Sequence, residues 1–150
     1  MSRNIWFDMD GTLNKFYDVP NWLEKLRAYD PSPYAEAAVN LNMSLLARYL
    51  NKLKKMGYHI GILSWLARET TPKFTQEVTY EKHEWLGVHT ASVGWDEIVI
   101  MEYGVPKEQW KRNPEDILFD DNSGIRDSWG DGAYTPDRIL EVLKALIDKG

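Results

Sequence analysis

Short apolar segments alternate along this chain with longer segments in which apolar residues recur every three or four positions. Short apolar runs are typical of buried strands. They predict a first strand in the run that begins after Asn4 and ends in the acids Asp8 and Asp10, and further strands at 60–64, 97–101, 117–119 and 133–134. The wider spacing predicts helices at about 34–56, at 71–87 and from 136 onward. Gly57 is a natural end for the first helix, and Pro72 and Pro136 are suited to the starts of the other two.

This alternation predicts an α/β domain of three layers. Strands separated by helices pair in parallel, because each connection returns over the sheet through its helix. Helices then cover both faces of the sheet. In such folds ligands bind beside the carboxyl ends of the strands, so the residues that follow each strand are the candidates for function.

An aromatic segment at about 15–33 interrupts the pattern. It contains Phe16, Tyr17 and Trp22 and is broken by prolines, among them Pro20 and Pro31. We predict that it forms a small, irregular, cap-like insert. Residues 1–150 are therefore predicted to form a single domain.

Composition narrows the class of protein. A chain of 150 residues is long enough for a full core, and the absence of cysteine excludes thiolate zinc sites, cysteine nucleophiles and iron–sulfur clusters. No segment has the apolar length of a membrane span or the character of a signal peptide, which predicts a cytoplasmic protein with no membrane partner. The net charge of −5 argues against nucleic acid as a partner and leaves the oligomeric state open.

Two carboxylates lie one residue apart directly after the first predicted strand, in the sequence Asp8-Met9-Asp10-Gly11-Thr12. Strand alternation places Asp8 and Asp10 on the same side, where two like charges need a cation or a proton. Gly11 permits a sharp turn, and the Thr12 hydroxyl can bond back into it. A plain turn is the alternative for this motif alone. A calcium-binding EF-hand loop is excluded, because it needs glycine at its sixth position and a preceding helix.

Polar side chains also follow the other predicted strands. Ser64 ends the second strand, Lys107 lies just beyond the third, and Asp120 and Asp121 follow the fourth. In a parallel sheet these residues meet the two acids of the first motif at one edge. The resulting oxygen-rich cluster suits Mg²⁺, which binds carboxylates and accepts phosphate oxygens as further ligands.

Each of these residues also has a purely structural alternative. Ser64 would then bond only to the backbone, and Lys107 would be a surface lysine whose place Lys82 or Lys111 takes. Asp120 and Asp121 would cap the following helix.

Taken together, the motif at 8–12, Ser64, Lys107 and the pair Asp120-Asp121 resemble the four motifs of the haloacid dehalogenase-like phosphohydrolases. The resemblance spans the whole chain. It implies that family's Rossmannoid sheet, with strand order 5-4-1-2-3, and a Mg²⁺-dependent phosphatase acting on a small phosphorylated substrate.

The resemblance also implies a role for each residue. Asp8 would be the nucleophile that forms an aspartyl-phosphate, and Asp10 would be the general acid and base. Ser64 and Lys107 would hold the phosphoryl oxygens. The implied Mg²⁺ ligands are Asp8, the backbone carbonyl of Asp10, Asp120 and Asp121, and it stays open which of the last two binds the ion directly.

A looser resemblance is to the cytosolic 5'(3')-deoxyribonucleotidase branch. It rests on the small aromatic insert, the run 82–86 (Lys-His-Glu-Trp-Leu) and the paired acids. The chain departs from that branch at Asn14, where an acid is usual, and at Ser64-Trp65, where a Thr-Ser pair is usual.

This second resemblance implies a (deoxy)nucleoside monophosphate as the first candidate substrate. The implied substrate contacts are Thr12, Phe16, Trp22 and Trp65. A sugar phosphate, a nucleic-acid end and a non-catalytic phosphate-sensing domain are the alternatives.

Overall fold

Strands and helices alternate along residues 3–150, the part of the chain that the structure, a computed structural model, describes. The strands are β1 (Asn4–Phe7), β2 (His59–Trp65), β3 (Glu97–Met101), β4 (Ile117–Phe119) and β5 (Ala133–Tyr134). The helices are α1 (Trp22–Arg27), α2 (Ser32–Glu36), α3 (Met43–Lys55), α4 (Pro72–His89), α5 (Ser123–Trp129) and α6 (Ile139–Lys149). The predicted α/β class is confirmed.

The five strands form one sheet in the order β3-β2-β1-β4-β5. β1 is central, with Ile5 aligned to Ile60 of β2 on one side and to Ile117 of β4 on the other. Every neighbouring pair is parallel, so the carboxyl ends of the strands share one edge. This is the order that the family resemblance implies.

The side chains of β1 alternate between the two faces of the sheet. Ile5 and Phe7 belong to a large core that includes residues of α3, α4 and α6. Trp6 points to the other face, where it packs with Leu63, Leu118 and residues of α5. Helices therefore cover both faces, which confirms the predicted three layers.

A tight contact between neighbouring strands predicts a stability effect at Gly61. A Cβ atom on Gly61 would lie 2.5 Å from Cζ3 of Trp6, a side chain that is fully buried. We expect Gly61→Ala to lower the free energy of unfolding by about 1–3 kcal/mol, because overpacked cores must displace side chains or backbone. Urea unfolding monitored by tryptophan fluorescence measures this change.

Gly87 provides the matched control. It lies in α4, and a Cβ atom at this position would meet nothing within 4 Å, so Gly87→Ala should raise the free energy of unfolding by about 0.5–1 kcal/mol. Equal stability of the two alanine variants would show that the Trp6 contact imposes no constraint.

The first long helix begins later than its periodicity predicts. Predicted from about residue 34, α3 starts at Met43, where the Asn42 side chain accepts a hydrogen bond from the Leu45 amide. The segment before it is extended and pairs with the loop after β1: the Lys15 amide donates to Ala38 and the Asn40 amide to Leu13. This pairing overrides the apolar spacing at 37–41, so the prediction of one continuous helix is wrong there, and the helical residues 34–36 belong to the separate helix α2.

The aromatic insert is also more regular than predicted. Instead of an irregular stretch at 15–33, it contains a 3-10 turn at Phe16–Asp18, α1 and α2, and its second helix runs on to Glu36. Phe16, Tyr34 and Ala37 form a second core with Phe74 and Val78 of α4. The insert is thereby fixed over one end of the sheet.

The longest helix, α4, starts as predicted. Thr71 caps it by accepting a hydrogen bond from the Phe74 amide, and Pro72 occupies the first turn. It ends at His89, two residues beyond the predicted end at Gly87. Like the other helices within residues 3–150, it lacks the combination of length and apolar character that a membrane crossing requires.

Candidate active site

Asp8 is the first residue beyond β1, and its backbone extends the hydrogen bonding between β1 and β4 by one bond. Its backbone amide donates to the carbonyl of Phe119 at 2.9 Å. Its carboxylate, which is almost buried, accepts hydrogen bonds from the Thr12 hydroxyl at 2.9 Å and from Lys107 Nζ at 2.9 Å. Two donors and a backbone anchor therefore hold this carboxylate in one orientation.

A tight loop turns the chain after Asp8. Gly11 adopts a φ of 81°, which favours glycine, and a Cβ atom there would clash with the Asp121 carboxylate. Asn14 closes the loop: its side-chain oxygen accepts from the amides of Gly11 and Phe16, and its side-chain nitrogen donates to Asp10 at 3.3 Å. This loop, and not strand alternation, brings Asp10 to the same side as Asp8.

Lys107 joins the ends of two strands. It lies in a 3-10 turn at Lys107–Trp110 and is 2% exposed, with its Nζ atom 2.9 Å from Asp8 and 2.8 Å from Asp120. Burial alone would lower the pKa of this ammonium group, but the two carboxylates outweigh burial and raise it. Lys107 therefore stays charged beside Asp8.

Three carboxylates meet at this edge of the sheet. One oxygen from each of Asp8, Asp120 and Asp121 lies within 4.8 Å of the others. Burial and the charge of Asp8 raise the pKa of Asp120 to about 6, and the same two causes raise that of Asp121 to about 8. A set of oxygen ligands whose mutual repulsion one lysine only partly offsets fits a hard divalent cation such as Mg²⁺.

The raised pKa values predict how Mg²⁺ affects stability. Because Asp120 and Asp121 bind protons more tightly in the folded chain than at their ordinary value of 3.8, metal-free stability falls as pH rises from about 4 to about 8. Mg²⁺ competes with these protons, so millimolar Mg²⁺ should raise the melting temperature more at about pH 8 than at about pH 5.5. Differential scanning fluorimetry measures both shifts.

The control for this measurement is an acid on the surface of α5. Asp127→Asn should keep the Mg²⁺ shift, whereas Asp120→Asn should lose it, since only the second removes a carboxylate of the cluster. A shift of equal size at both pH values, or one that persists in Asp120→Asn, would argue against metal binding at these acids.

Lys82 is a second buried cation at the site, and it comes from α4. Its side chain is fully buried, and its Nζ atom donates to Asp10 at 3.0 Å, to the Ser64 hydroxyl at 2.6 Å and to the Trp65 carbonyl at 2.7 Å. The Tyr34 ring lies 5.1 Å from the same ammonium group. Lys82 therefore links Asp10 to the end of β2 and to the insert.

A cavity of about 830 Å³ opens above these groups. Asp8, Asp10, Lys107, Asp120 and Asp121 all border it. Its walls carry two aromatic pairs, with ring centroids 5.0 and 4.9 Å apart. Tyr17 pairs with Trp22 within the insert, and Trp65, the last residue of β2, pairs with Tyr103, which follows β3. The charged groups and an apolar binding surface therefore share one cleft.

Tyr17 marks where the insert approaches the acids. It is half exposed, yet burial and the neighbouring carboxylates, Asp10 and Asp121 above all, raise the pKa of its hydroxyl. Tyr17 is therefore neutral at physiological pH and able to donate a hydrogen bond near the acid cluster.

Solved structures share this architecture over nearly the whole chain. A D,D-heptose 1,7-bisphosphate phosphatase from Burkholderia thailandensis is 15% identical and matches 97% of this chain and 99% of its own with a TM-score of 0.59. The corresponding phosphatase from B. bronchiseptica, solved with magnesium and phosphate, is 12% identical over 99% of both chains with a TM-score of 0.58. A protein described as an HAD-like phosphatase, from Mesorhizobium loti, is 14% identical and matches 99% of this chain and 87% of its own with a TM-score of 0.60.

This chain has the haloacid dehalogenase-like fold. No protein-family model and no curated protein sequence matches it. The assignment therefore rests on the structure, and it agrees with the resemblance that the four motifs carry.

Within this haloacid dehalogenase-like fold, the predicted chemical residues converge. Asp8, Asp120 and Asp121 form the acid cluster, and Lys107 is inside the site, not on the surface. Asp10 faces the same cavity but its carboxylate is held by Lys82, apart from the three clustered acids.

The predicted substrate contacts divide into two groups. Trp22 and Trp65 line the cavity, as does Phe16, although Phe16 is largely buried in the core of the insert. Thr12 is fully buried and its hydroxyl is bonded to Asp8. We therefore assign Thr12 to the support of Asp8 and not to substrate contact.

Ser64 is buried, and its hydroxyl accepts a hydrogen bond from a lysine instead of from the backbone. Sequence reasoning named that lysine, Lys82, only as a substitute for Lys107. The available signal was its position on the buried stripe of α4, four residues after Val78 and eight after Phe74. A charged residue at such a position needs a buried partner.

Proposed function

We propose that this protein is a Mg²⁺-dependent phosphomonoester hydrolase that acts through an aspartyl-phosphate at Asp8. The observation that carries the proposal is the placement of Asp8, an almost buried carboxylate fixed by Thr12 and Lys107 beside Asp120 and Asp121 at the base of the cavity. A nucleophile needs this kind of fixed orientation and nearby positive charge to attack an anionic phosphate.

Asp8 and Asp10 divide the chemistry. In the first step, an Asp8 oxygen forms a bond to phosphorus while the bond to the leaving oxygen breaks, and the Asp10 carboxyl gives its proton to that oxygen. In the second step, Asp10 takes a proton from water, the water oxygen bonds to phosphorus, and Asp8 leaves as a carboxylate. Asp10 ends protonated, as it began.

Cations and donors around the nucleophile stabilise the transferring group. Lys107 offsets negative charge beside Asp8, and Ser64 lies at the end of the adjacent strand with a hydroxyl that Lys82 orients. We infer that Lys107 and Ser64 hold phosphoryl oxygens as charge builds up on them.

Mg²⁺ completes the site. Asp8, the Asp10 backbone carbonyl, Asp120 and Asp121 would hold the ion, which when bound neutralises charge shared by the nucleophile and the phosphate. Protein oxygens need to fill only some of its positions, since Mg²⁺ keeps several waters and accepts phosphate oxygens.

For the substrate we propose a (deoxy)nucleoside monophosphate first. The two aromatic pairs in the walls, at Tyr17 with Trp22 and Trp65 with Tyr103, offer faces on which a base can stack. A sugar phosphate is the second candidate, because two of the proteins whose structures share this fold are D,D-heptose 1,7-bisphosphate phosphatases. The net charge of −5 disfavours nucleic-acid ends, and the retention of both Asp8 and Asp10 disfavours a purely phosphate-sensing domain.

The test is phosphate release from a substrate panel with Mg²⁺ present or chelated. The panel contains nucleoside 5'- and 3'-monophosphates, hexose and pentose phosphates, and 3'-phosphorylated oligonucleotides. We expect Mg²⁺-dependent release that is highest for a nucleoside monophosphate. Phosphate binding without release from any compound would instead support the sensing domain.

A further inference from the structure

Two arginines at the cavity bond to no carboxylate or carbonyl within residues 3–150. Four other arginines of the chain, Arg3, Arg112, Arg126 and Arg138, do bond to a carboxylate or a backbone carbonyl. Arg27 and Arg68, which both line the cavity, have no such bond. Arg48 of α3 also has none, but it lies outside the cavity. Arg27 ends α1 in the insert, and Arg68 follows β2, so two independent segments bring cations to one cleft.

We propose that Arg27 and Arg68 bind a second phosphate on the substrate, remote from the phosphate that Asp8 attacks. This inference rests on the proposed function and specifies its substrate class: a metabolite that carries two phosphate groups. Two guanidinium groups suit such a ligand, because each presents a planar set of donors that matches phosphate oxygens.

The charges that line the cleft indicate that its lysines and its arginines bind different anions. Lys107 is already committed to Asp8 and Asp120, and Lys82 to Asp10, so neither is available to a distant anion. The remaining acids of the cleft would repel a second phosphate unless other cations faced it. Arg27 and Arg68 are the cavity-lining cations within residues 3–150 that no carboxylate occupies.

The dimensions and walls of the cavity agree with a ligand larger than a simple phosphate. At about 830 Å³ the cavity is near the upper end of the range for small-molecule sites, about 300–1,000 Å³. The aromatic pairs at Tyr17 and Trp65 lie in the same cleft as the arginines and the acids. A base or sugar can lie against them while one phosphate reaches Asp8 and the other reaches the arginines.

Matched substrate pairs test the inference. Adenosine 5'-monophosphate is compared with adenosine 3',5'-bisphosphate, and fructose 6-phosphate with fructose 1,6-bisphosphate. We expect kcat/KM to be at least about tenfold higher for the bisphosphate of the preferred pair, mainly through a lower KM, since the arginines would add charge-assisted hydrogen bonds to the second phosphate. A second phosphate can come from a bisphosphorylated metabolite or from a nucleic-acid end. A 3'-phosphorylated dinucleotide, which carries its second charge as a phosphodiester, tests whether the arginines favour the nucleic-acid end.

Arginine variants assign the effect to the cleft. Arg27→Gln and Arg68→Gln should each lower the ratio of kcat/KM between bisphosphate and monophosphate, and the double variant should bring it close to one. Arg48→Gln is the matched control, because Arg48 is an exposed arginine of α3 outside the cavity; it should keep the full ratio.

Failure of the second-phosphate site and failure of the proposed hydrolase give different results. Phosphate release at equal kcat/KM from both members of every pair, or a preference that survives the double variant, would overturn the second-phosphate site and leave the hydrolase intact. No Mg²⁺-dependent release from any compound would overturn the proposed hydrolase itself.

Discussion

Replacement of Asp8 by asparagine is expected to lower Mg²⁺-dependent phosphate release by about 10³-fold or more, since removal of a nucleophile commonly costs that much. The amide keeps the shape of the carboxylate and its contact with Thr12, but it cannot form the acyl-phosphate bond. Steady-state assays on the preferred substrate measure the loss. Incubation with labelled substrate, followed by acid quenching, tests whether the labelled protein intermediate disappears with it.

The melting temperature of Asp8→Asn shows whether a loss of activity comes from the missing nucleophile or from unfolding. Lys107 keeps its 2.8 Å contact with Asp120, and one charge leaves a crowded acid cluster. We therefore expect the melting temperature of Asp8→Asn without metal to equal or exceed that of the parent. Asp127→Asn, an exposed acid on α5, should keep full activity. Phosphate release by Asp8→Asn within tenfold of the parent would exclude Asp8 as the nucleophile.

The sequence predicted that the acids and Lys107 of the candidate site lie close together, because these residues lie at or beyond the ends of strands. Asp8, Asp120 and Lys107 are far apart along the chain, and parallel strands end at a common edge. Asp8 and Asp120 directly follow short apolar runs typical of strands, and Lys107 lies six residues beyond the end of a third. Because β1 is buried on both faces, its residues from Ile5 to Phe7 are all apolar. The acid that follows, Asp8, marks the end of the strand in the sequence. Local pattern and topology agree in these segments.

Sequence reasoning failed where long-range pairing decides the structure. The apolar spacing from residue 34 onward is compatible with one long helix. The segment around Ala38 is instead extended, because its backbone forms hydrogen bonds with the loop at Leu13–Lys15. Periodicity contains no information on such a partner. Likewise, α1 and α2 are too short for a clear helical pattern, and their packing on Phe74 supplies the stability that their sequences lack.

Lys82 shows a different limit. A lysine on a helix is normally solvated, and its burial becomes predictable only when Asp10 and Ser64 are known to lie opposite it. The resulting contacts give Lys82 a positioning role, because its ammonium group orients Asp10 through a 3.0 Å bond without bordering the cavity itself.

Replacement of Lys82 by methionine should therefore impair both stability and turnover. The change leaves Asp10 without its cation and the Ser64 hydroxyl without its donor, and breaking a buried ion pair costs about 3–5 kcal/mol. Because the Asp10 side chain is 14% exposed, we expect the low end, about 3 kcal/mol, in urea unfolding. A displaced Asp10 should lower kcat on the order of 10²-fold with little change in KM.

A double-mutant cycle with Asp10→Asn tests whether Lys82 acts through Asp10. If it does, Lys82→Met should destabilise the Asp10→Asn protein less than the parent, with a coupling free energy of about 1–3 kcal/mol, and should lower its residual kcat only slightly. Lys111→Met is the matched control, because Lys111 bonds to the backbone carbonyls of Trp129 and Asp131, and it should keep the parent kcat. Additive effects on both stability and kcat would refute the link, since a lysine that merely fills the core would lower stability by the same amount whether or not Asp10 carries a charge.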